Sequence, residues 1–259
     1  MEKSESLANL IQFVVDSVQQ APADDAPFHH LQFHRIFPDD FYARMVEAMP
    51  AAEDYRAMSG KSKTGSSRPD GKPTRAKIDL FPEYIRNLPA EKRALWDIVG
   101  RALCSEPVKL AFIRRLAPGL SKRFGKNFAK VGMYPIPILT RDVPGYLITP
   151  HTDTRWKGIT VQLYLPKDDA NTDIGTIFHE KLPDGSLPMR AQMRFARNSG
   201  YAFAVGTDTW HSADPVHNRV KTRDSILLTY FVDQGVLKVL RNRGKRVGNF
   251  FLNEIRHRI

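Results

Sequence analysis

The sequence predicts an α+β fold in which a helical N-terminal half packs against a β core. Apolar residues recur at helical spacing over residues 4–20 and again over 90–104, as expected for amphipathic helices. From residue 127 the pattern changes to runs rich in β-branched and aromatic residues, typical of strands, and it stays so to about residue 233. No internal repeat or interdomain linker is visible, so we expect one domain over residues 1–259.

The first 126 residues are expected to be mainly helical support for the β core. Acidic residues directly after Pro38 predict a helix start, so a second helix is expected over residues 38–49. Residues 105–124 are predicted to be helical with a break at Pro118 and the glycine after it. Residues 28–37 alternate and form the one strand predicted in this half.

The chain is strongly basic, and two segments concentrate the charge. The formal net charge is +11 and the sequence pI is about 9.8. Such a balance favours anionic partners, although a solvated basic surface explains it equally well. One basic segment is residues 56–77, in which the Gly-, Ser- and Pro-rich run 59–73 predicts a loop that is either a lid or a disordered surface loop. The other is the C-terminal segment 234–259.

Cysteine content and hydropathy predict a cytoplasmic protein. Cys104 is the single cysteine, so no internal disulfide can form, which fits a reducing compartment. No apolar run reaches the length of a membrane span, and the first residues are charged, unlike a signal peptide. The sequence does not indicate an oligomeric state.

Potential metal ligands lie at the ends of predicted strands. His151, Asp153 and His211 are two imidazoles and a carboxylate. Such a set holds an ion on one face and leaves other positions open, as in non-haem Fe(II) sites. The run before His151 is β-prone, with Pro150 expected to end it, and a further predicted strand precedes His211. We therefore expect the three ligands to converge at the mouth of the β core.

At this point the sequence resembles a known family. Residues 139–233 resemble the Fe(II)/2-oxoglutarate-dependent dioxygenases, in particular the prolyl-hydroxylase-like branch. The matching pieces are His151-Thr152-Asp153, Tyr164-Leu165-Pro166, Ile174-Gly175-Thr176, His211 to Val216, and Arg223 to Leu228. The resemblance implies a double-stranded β-helix (jelly-roll) core over residues 127–233. It also implies that His151, Asp153 and His211 hold Fe(II), and that 2-oxoglutarate and O2 are co-substrates.

The resemblance also implies residues for 2-oxoglutarate. Arg223 would pair with its far carboxylate, since guanidinium and carboxylate form a bidentate fork. The gap from His211 to Arg223 is longer than in many relatives, which leaves Arg219 as a competitor. Further co-substrate candidates are Tyr164, Ser225, Thr160 and Arg141, of which Arg141 could instead bind substrate.

Three residues are candidate substrate contacts. Arg155 and Trp156 follow Asp153 directly, so their loop is expected to border the metal, unless it is an ordinary packed or exposed loop pair. His179 lies on a predicted core strand and would be a polar group in a mostly apolar pocket.

These observations predict an enzyme that hydroxylates a small polar or anionic metabolite while converting 2-oxoglutarate to succinate. The alternative is a peptidyl (prolyl-type) hydroxylase acting on a protein. A non-catalytic or nucleic-acid-binding member of the fold is a further alternative. The basic charge would suit nucleic acid, but Thr229 stands where nucleic-acid demethylases place a second arginine.

Overall fold

The computed structural model describes residues 2–58 and 71–233. The basic segment 56–77 is therefore described only in part, and the basic C-terminal segment 234–259 lies outside the described residues. The helices of the described part are α1 (Glu2–Gln20), α2 (Asp39–Glu47), α3 (Pro82–Ile85), α4 (Ala90–Leu103), α5 (Glu106–Arg115) and α6 (Ala117–Phe124).

The strands of the described part form two antiparallel sheets. They are β1 (Ala23–Asp24), β2 (His30–Phe33), β3 (Arg56–Ala57), β4 (Arg75–Asp79), β5 (Met133–Asp142), β6 (Ile148–His151), β7 (Lys157–Tyr164), β8 (Ile177–His179), β9 (Met189–Gln192), β10 (Gly200–Ala204), β11 (Trp210–Ala213) and β12 (Arg223–Val232). The larger sheet has the order β1-β2-β10-β7-β12-β5-β4-β3, and the smaller sheet the order β6-β11-β8-β9. These two sheets are the expected jelly-roll core, so the α+β prediction is confirmed.

The N-terminal half contributes more strand than the sequence indicated. β1 to β4 form both edges of the larger sheet, although only the strand around β2 was predicted. β1 and β3 are two residues long, too short for a periodic pattern to identify them. β4 begins at Arg75, within the segment that its composition assigned to a basic loop.

Two prolines lie inside elements that they were expected to interrupt. The chain turns at Leu116, between α5 and α6, and Pro118 lies in the first turn of α6, where its missing N–H costs no helical hydrogen bond. Pro150 is the third of the four residues of β6 and does not end it. β6 is at the edge of the smaller sheet, where a strand tolerates proline.

The larger sheet has a different core on each of its faces. One face packs on the helices through aliphatic and aromatic side chains that include Trp96, Phe112, Leu163, Leu228 and Tyr230. The other face meets the smaller sheet across a mainly aromatic core that includes Phe28, Tyr146, Phe178, Tyr201 and Phe203. Because side chains alternate between faces along a strand, each residue of β12 points either to the helices or to the space between the sheets.

Candidate metal centre and its cavity

Strand pairing in the smaller sheet brings the two predicted histidine ligands together. His211 on β11 lies directly opposite His151 on β6, and the centroids of the two rings are 4.3 Å apart. The Nδ1 of His151 lies 3.0 Å from the carbonyl oxygen of Thr149. The Nδ1 of His211 lies 3.0 Å from that of Thr209. Donation from Nδ1 to a carbonyl selects the tautomer whose Nε2 has the lone pair that a metal needs.

Asp153 completes the cluster two residues beyond His151. One ligand atom from each of His151, Asp153 and His211 lies within 4.8 Å of the other two. Lys157 donates to Asp153 Oδ1 at 2.6 Å, and the Thr160 hydroxyl donates to Oδ2 at 2.6 Å. Both donors lie on β7, so the larger sheet orients a carboxylate that follows a strand of the smaller one.

The electrostatics of the cluster suit a divalent cation. Burial alone would raise the pKa of Asp153, but the neighbouring Lys157 and His211 and the hydrogen bond from Thr160 hold this pKa well below its usual range. Burial lowers the pKa of His211 from 6.5 to about 4, although Asp153 opposes the shift. An ionised carboxylate and a neutral imidazole are the forms that bind a metal. Two imidazoles and one carboxylate on one face fit Fe(II).

The cluster opens into a cavity of about 480 Å³ between the two sheets. Its wall includes the three ligand residues, and its other polar and charged lining residues are Arg75, Tyr146, Thr152, Thr154, Lys157, Thr160, Gln162, Tyr164, Thr176, Tyr201, Ser212 and Arg223. Met58, Ile148, Trp210 and Leu227 add apolar surface. A concave space of this size with a few converging polar groups is typical of a small-molecule site.

Arg223 lies in this cavity, at the start of β12 as predicted. Its Nε and Nη2 donate to Asp142 Oδ2 at 3.1 and 3.0 Å, and its Nη1 donates to the carbonyl oxygen of Ile174 at 2.7 Å. The competitor Arg219 is instead more than half exposed and pairs with Asp173 at 2.7 Å. The position of Arg219 on the surface therefore does not suit a co-substrate contact.

Tyr164 also lines the cavity, with its hydroxyl engaged by Thr176. The Tyr164 hydroxyl donates to Thr176 Oγ1 at 3.1 Å and accepts from the Thr176 backbone N–H at 2.9 Å. The Tyr201 hydroxyl donates to the same Oγ1 at 3.0 Å. Since a hydroxyl has two lone pairs and one proton, Thr176 keeps its own proton for a group in the cavity.

Two other co-substrate candidates are placed to support neighbouring side chains. Thr160 lines the cavity, but its hydroxyl donates to the metal ligand Asp153. Ser225 is buried and lies behind the wall. Its hydroxyl accepts from the Gln162 amide at 2.6 Å and is 2.8 Å from the Thr140 hydroxyl. Ser225 therefore positions Gln162, which does face the cavity.

The prediction that Arg141 contacts co-substrate or substrate does not fit the structure. The Arg141 side chain lies on the helical face of β5, where its Nε donates to Asp224 at 2.7 Å. Its guanidinium also stacks on Tyr55, with 4.3 Å between the guanidinium carbon and the ring centroid. The residue of β5 that points toward the cavity is the next one, Asp142. Alternation along the strand is the physical reason.

The candidate substrate contacts do not line this cavity. His179 is buried, with one ring nitrogen 2.7 Å from the Ser212 hydroxyl and the other 3.0 Å from the Leu187 carbonyl oxygen. Both nitrogens are thus used within the protein. Trp156 is exposed, and Arg155 borders a second, neighbouring cavity of about 690 Å³. That second cavity shares Thr152 and Asp153 with the first.

Four residues of the site had no role assigned to them by sequence reasoning. Arg75 and Asp142 lie on two strands that pair with each other. Lys157 donates a hydrogen bond to Asp153, and Thr176 accepts one from Tyr164. Lys157 is four residues after Asp153 in the sequence, and this spacing was the available signal. Arg75 had no such signal, because it comes just after the Gly-, Ser- and Pro-rich run 59–73 that predicts a loop.

Comparisons with known proteins agree with the fold. No protein-family model matches the sequence, and no curated protein matches it at a significant level. A prolyl-4-hydroxylase from Pseudomonas putida matches over 85% of this chain and 98% of its own, with a TM-score of 0.51 and 15% identity. This chain therefore shares its fold with that prolyl-4-hydroxylase.

A second oxygenase-fold structure covers a similar share of the chain. It is a prolyl hydroxylase from Trichoplax adhaerens in complex with a peptide fragment of the hypoxia inducible factor oxygen degradation domain. It covers 89% of this chain and 93% of its own, with 9% identity and a TM-score of 0.49. Identities this low describe the fold and not the substrate.

In the part of the chain that the structure describes, no helix is long and apolar enough to cross a membrane.

The lowered pKa of His211 predicts how the metal-free protein responds to acid. Between pH 6.5 and about 4 the unfolded chain binds a proton on His211 that the folded chain does not. The free energy of unfolding should therefore fall as the pH falls through this window. We expect His211→Gln to reduce the slope of the free energy of unfolding against pH by the equivalent of about one bound proton. Urea unfolding at several pH values measures this slope. The exposed His217, changed to Gln, is the control. An equal slope in wild type and His211→Gln would contradict the assignment.

Proposed function

We propose that this protein is a 2-oxoglutarate-dependent non-haem iron oxygenase that hydroxylates a small polar or anionic metabolite. One observation supports this most directly. His151, Asp153 and His211 converge in one cavity that the Arg223 guanidinium also lines. The histidines and the carboxylate are the donor set for Fe(II). Arg223 is the group for the far carboxylate of the co-substrate.

The protein's part in the reaction is to hold and orient the reactants. Fe(II) and 2-oxoglutarate, when bound, would supply the reducing equivalents that activate O2: one oxygen atom would go to succinate as 2-oxoglutarate loses carbon dioxide, and the other to the hydroxyl group of the product. Thr149 and Thr209 fix the rings of His151 and His211 through their carbonyls, and Lys157 with Thr160 fixes the Asp153 carboxylate. Such outer contacts set ligand orientation and basicity. Tyr146, Tyr164 and Tyr201 of the aromatic core between the sheets also line the cavity, so a tightly packed wall holds these orienting groups.

The basic side chains of the cavity wall disfavour a cationic substrate. Besides Arg223, two basic side chains, Arg75 and Lys157, line the cavity. The volume of about 480 Å³ is in the usual range for small ligands, roughly 300–1,000 Å³. A peptidyl hydroxylase is the second candidate, because the neighbouring cavity of about 690 Å³ reaches the same Asp153 and offers room for a longer substrate.

The co-substrate site can be tested by an anaerobic spectroscopic titration. We expect a visible metal-to-ligand charge-transfer band only when both Fe(II) and 2-oxoglutarate are added, since the metal and its chelator form it together. His151→Ala removes a ligand and should abolish the band, whereas the exposed His217→Ala should keep it. A folded wild-type protein without the band would refute an oxygenase site.

Arg223 should control the affinity for 2-oxoglutarate and not for the metal. Replacing Arg223 by Ala removes charge-assisted hydrogen bonds, so we expect the dissociation constant for 2-oxoglutarate to rise about ten-fold or more. Fe(II) affinity, measured separately, should stay near that of the wild type. Arg219→Ala, which breaks only a surface ion pair, is the matched control. Unchanged affinity for 2-oxoglutarate in Arg223→Ala would contradict the assigned role.

The substrate class follows from succinate release in the presence of candidate substrates. We expect small carboxylate or phosphate metabolites to raise 2-oxoglutarate turnover above its substrate-free rate, because the cavity wall is cationic. Proline-containing peptides and single-stranded nucleic acid form the two comparison panels. Stimulation by peptides alone would favour the peptidyl hydroxylase. Salt-sensitive binding of nucleic acid, with no stimulation of turnover by carboxylate or phosphate metabolites, would favour a nucleic-acid-binding member of the fold.

A further inference from the structure

Three charged residues form a row across neighbouring strands at the cavity. Asp142 on β5 lies directly opposite Arg75 on β4 and directly opposite Arg223 on β12. The order across the sheet is therefore guanidinium, carboxylate, guanidinium. Arg75 and Arg223 both line the cavity, and Asp142 between them is fully buried. Opposite charges at directly paired positions stabilise one another.

The hydrogen bonds of this row leave donors of Arg75 for a ligand. Arg75 donates from Nε to Asp142 Oδ1 at 2.5 Å and from Nη2 to Oδ2 at 2.7 Å. A guanidinium has five N–H groups, two of them on Nη1. No hydrogen bond joins Arg75 Nη1 to an acceptor within residues 2–58 and 71–233. Arg223 uses one N–H of each of its three nitrogens within the protein, which leaves one N–H on Nη1 and one on Nη2 for the co-substrate.

The charge of the row also calls for one more anion. Two guanidinium groups and one carboxylate leave a net charge of +1. The Asp142 pKa is held below its usual range by Arg75 and Arg223 in spite of burial, so Asp142 stays ionised. Tyr146 lies between the two cations, with its ring centroid 4.1 Å from the Arg75 guanidinium carbon and 5.2 Å from that of Arg223. Buried charge is stable when it is paired, so a carboxylate in the cavity would complete the row.

We propose that Arg75 is a second guanidinium of the co-substrate site, which binds the far carboxylate of 2-oxoglutarate together with Arg223. Asp142 acts as a positioning residue that holds both arginine side chains at the cavity wall. This inference rests on the proposed function. It adds a residue from the N-terminal half, on β4, to a site that the resemblance places entirely within residues 139–233.

A second ion pair on the same strands provides a matched control. Arg141 and Asp224 are the next residues of β5 and β12, and they lie opposite each other on the helical face. Arg141 is similar to Arg75 in exposure, at 14% against 19% of the side chain. It also pairs with an aspartate, through Nε alone. A purely structural effect of losing an arginine–aspartate pair between these strands should therefore appear in both Arg75→Met and Arg141→Met.

The experiment compares two 2-oxo acids that differ in the far carboxylate. Binding of 2-oxoglutarate and of 2-oxopentanoate to the Fe(II)-loaded protein is measured by anaerobic calorimetry for wild type, Arg75→Met, Arg75→Lys and Arg141→Met. Thermal unfolding checks each variant. For Arg75→Met we expect 2-oxoglutarate binding to weaken about ten-fold or more and 2-oxopentanoate binding to stay at the wild-type value. Arg141→Met should bind both acids as the wild type does.

Arg75→Lys keeps the charge but loses the fork, so its loss of 2-oxoglutarate affinity should be smaller than that of Arg75→Met. If Arg75→Met fails to fold, reduced 2-oxoglutarate affinity in folded Arg75→Lys, with 2-oxopentanoate unchanged, supports the inference. Wild-type affinity for 2-oxoglutarate in either folded Arg75 variant overturns it, as does an equal loss for both acids. Wild-type protein that binds neither acid overturns the proposed function itself, so the two failures are distinguishable.

Discussion

The antiparallel pairing of β6 with β11 is the constraint on which the site depends. It places His151 directly opposite His211, and this register puts both imidazoles on the same side of the smaller sheet and next to each other. A shift by one residue would turn one ring to the other face. The two rings then need fixed tautomers, which the carbonyls of Thr149 and Thr209 select. The candidate metal centre therefore depends on backbone pairing and on local side-chain contacts.

Charge in the interior is arranged in matched sets around the cavity. Asp153 accepts hydrogen bonds from Lys157 and Thr160. Asp142 accepts them from Arg75 and Arg223. In a medium of low dielectric each of these ions would be costly alone. The two carboxylates have different functions that follow from their partners. Asp153 is beside two imidazoles and can give its negative charge to a cation. Asp142 is between two cations, which it holds in place for an anion.

The alternation of side chains between the two faces of a strand explains which candidate residues line the cavity. Arg223 and Arg141 were both placed at strand positions by the sequence, yet only Arg223 faces the space between the sheets. The sequence of β5 is apolar on both sides, with Leu139 and Ile138 both buried, because helices cover one face and the smaller sheet the other. No local periodicity therefore distinguishes the two faces, and choosing between Arg141 and Asp142 required the pairing with β12.

The sequence by itself determined the candidate metal ligands and the general architecture. His151, Asp153, His211 and Arg223 were identifiable because residue type and nearby strand patterns are local properties. The helices α1 and α4 were identifiable from their apolar spacing for the same reason. Only the tertiary structure decided that Arg75 belongs to the cavity, that Arg141 and His179 do not, and that Thr160 supports a ligand. Those placements depend on the register between strands distant in the chain, as between Arg75 and Asp142. Such pairings are chosen by the packing of the whole sheet, and no local pattern records them.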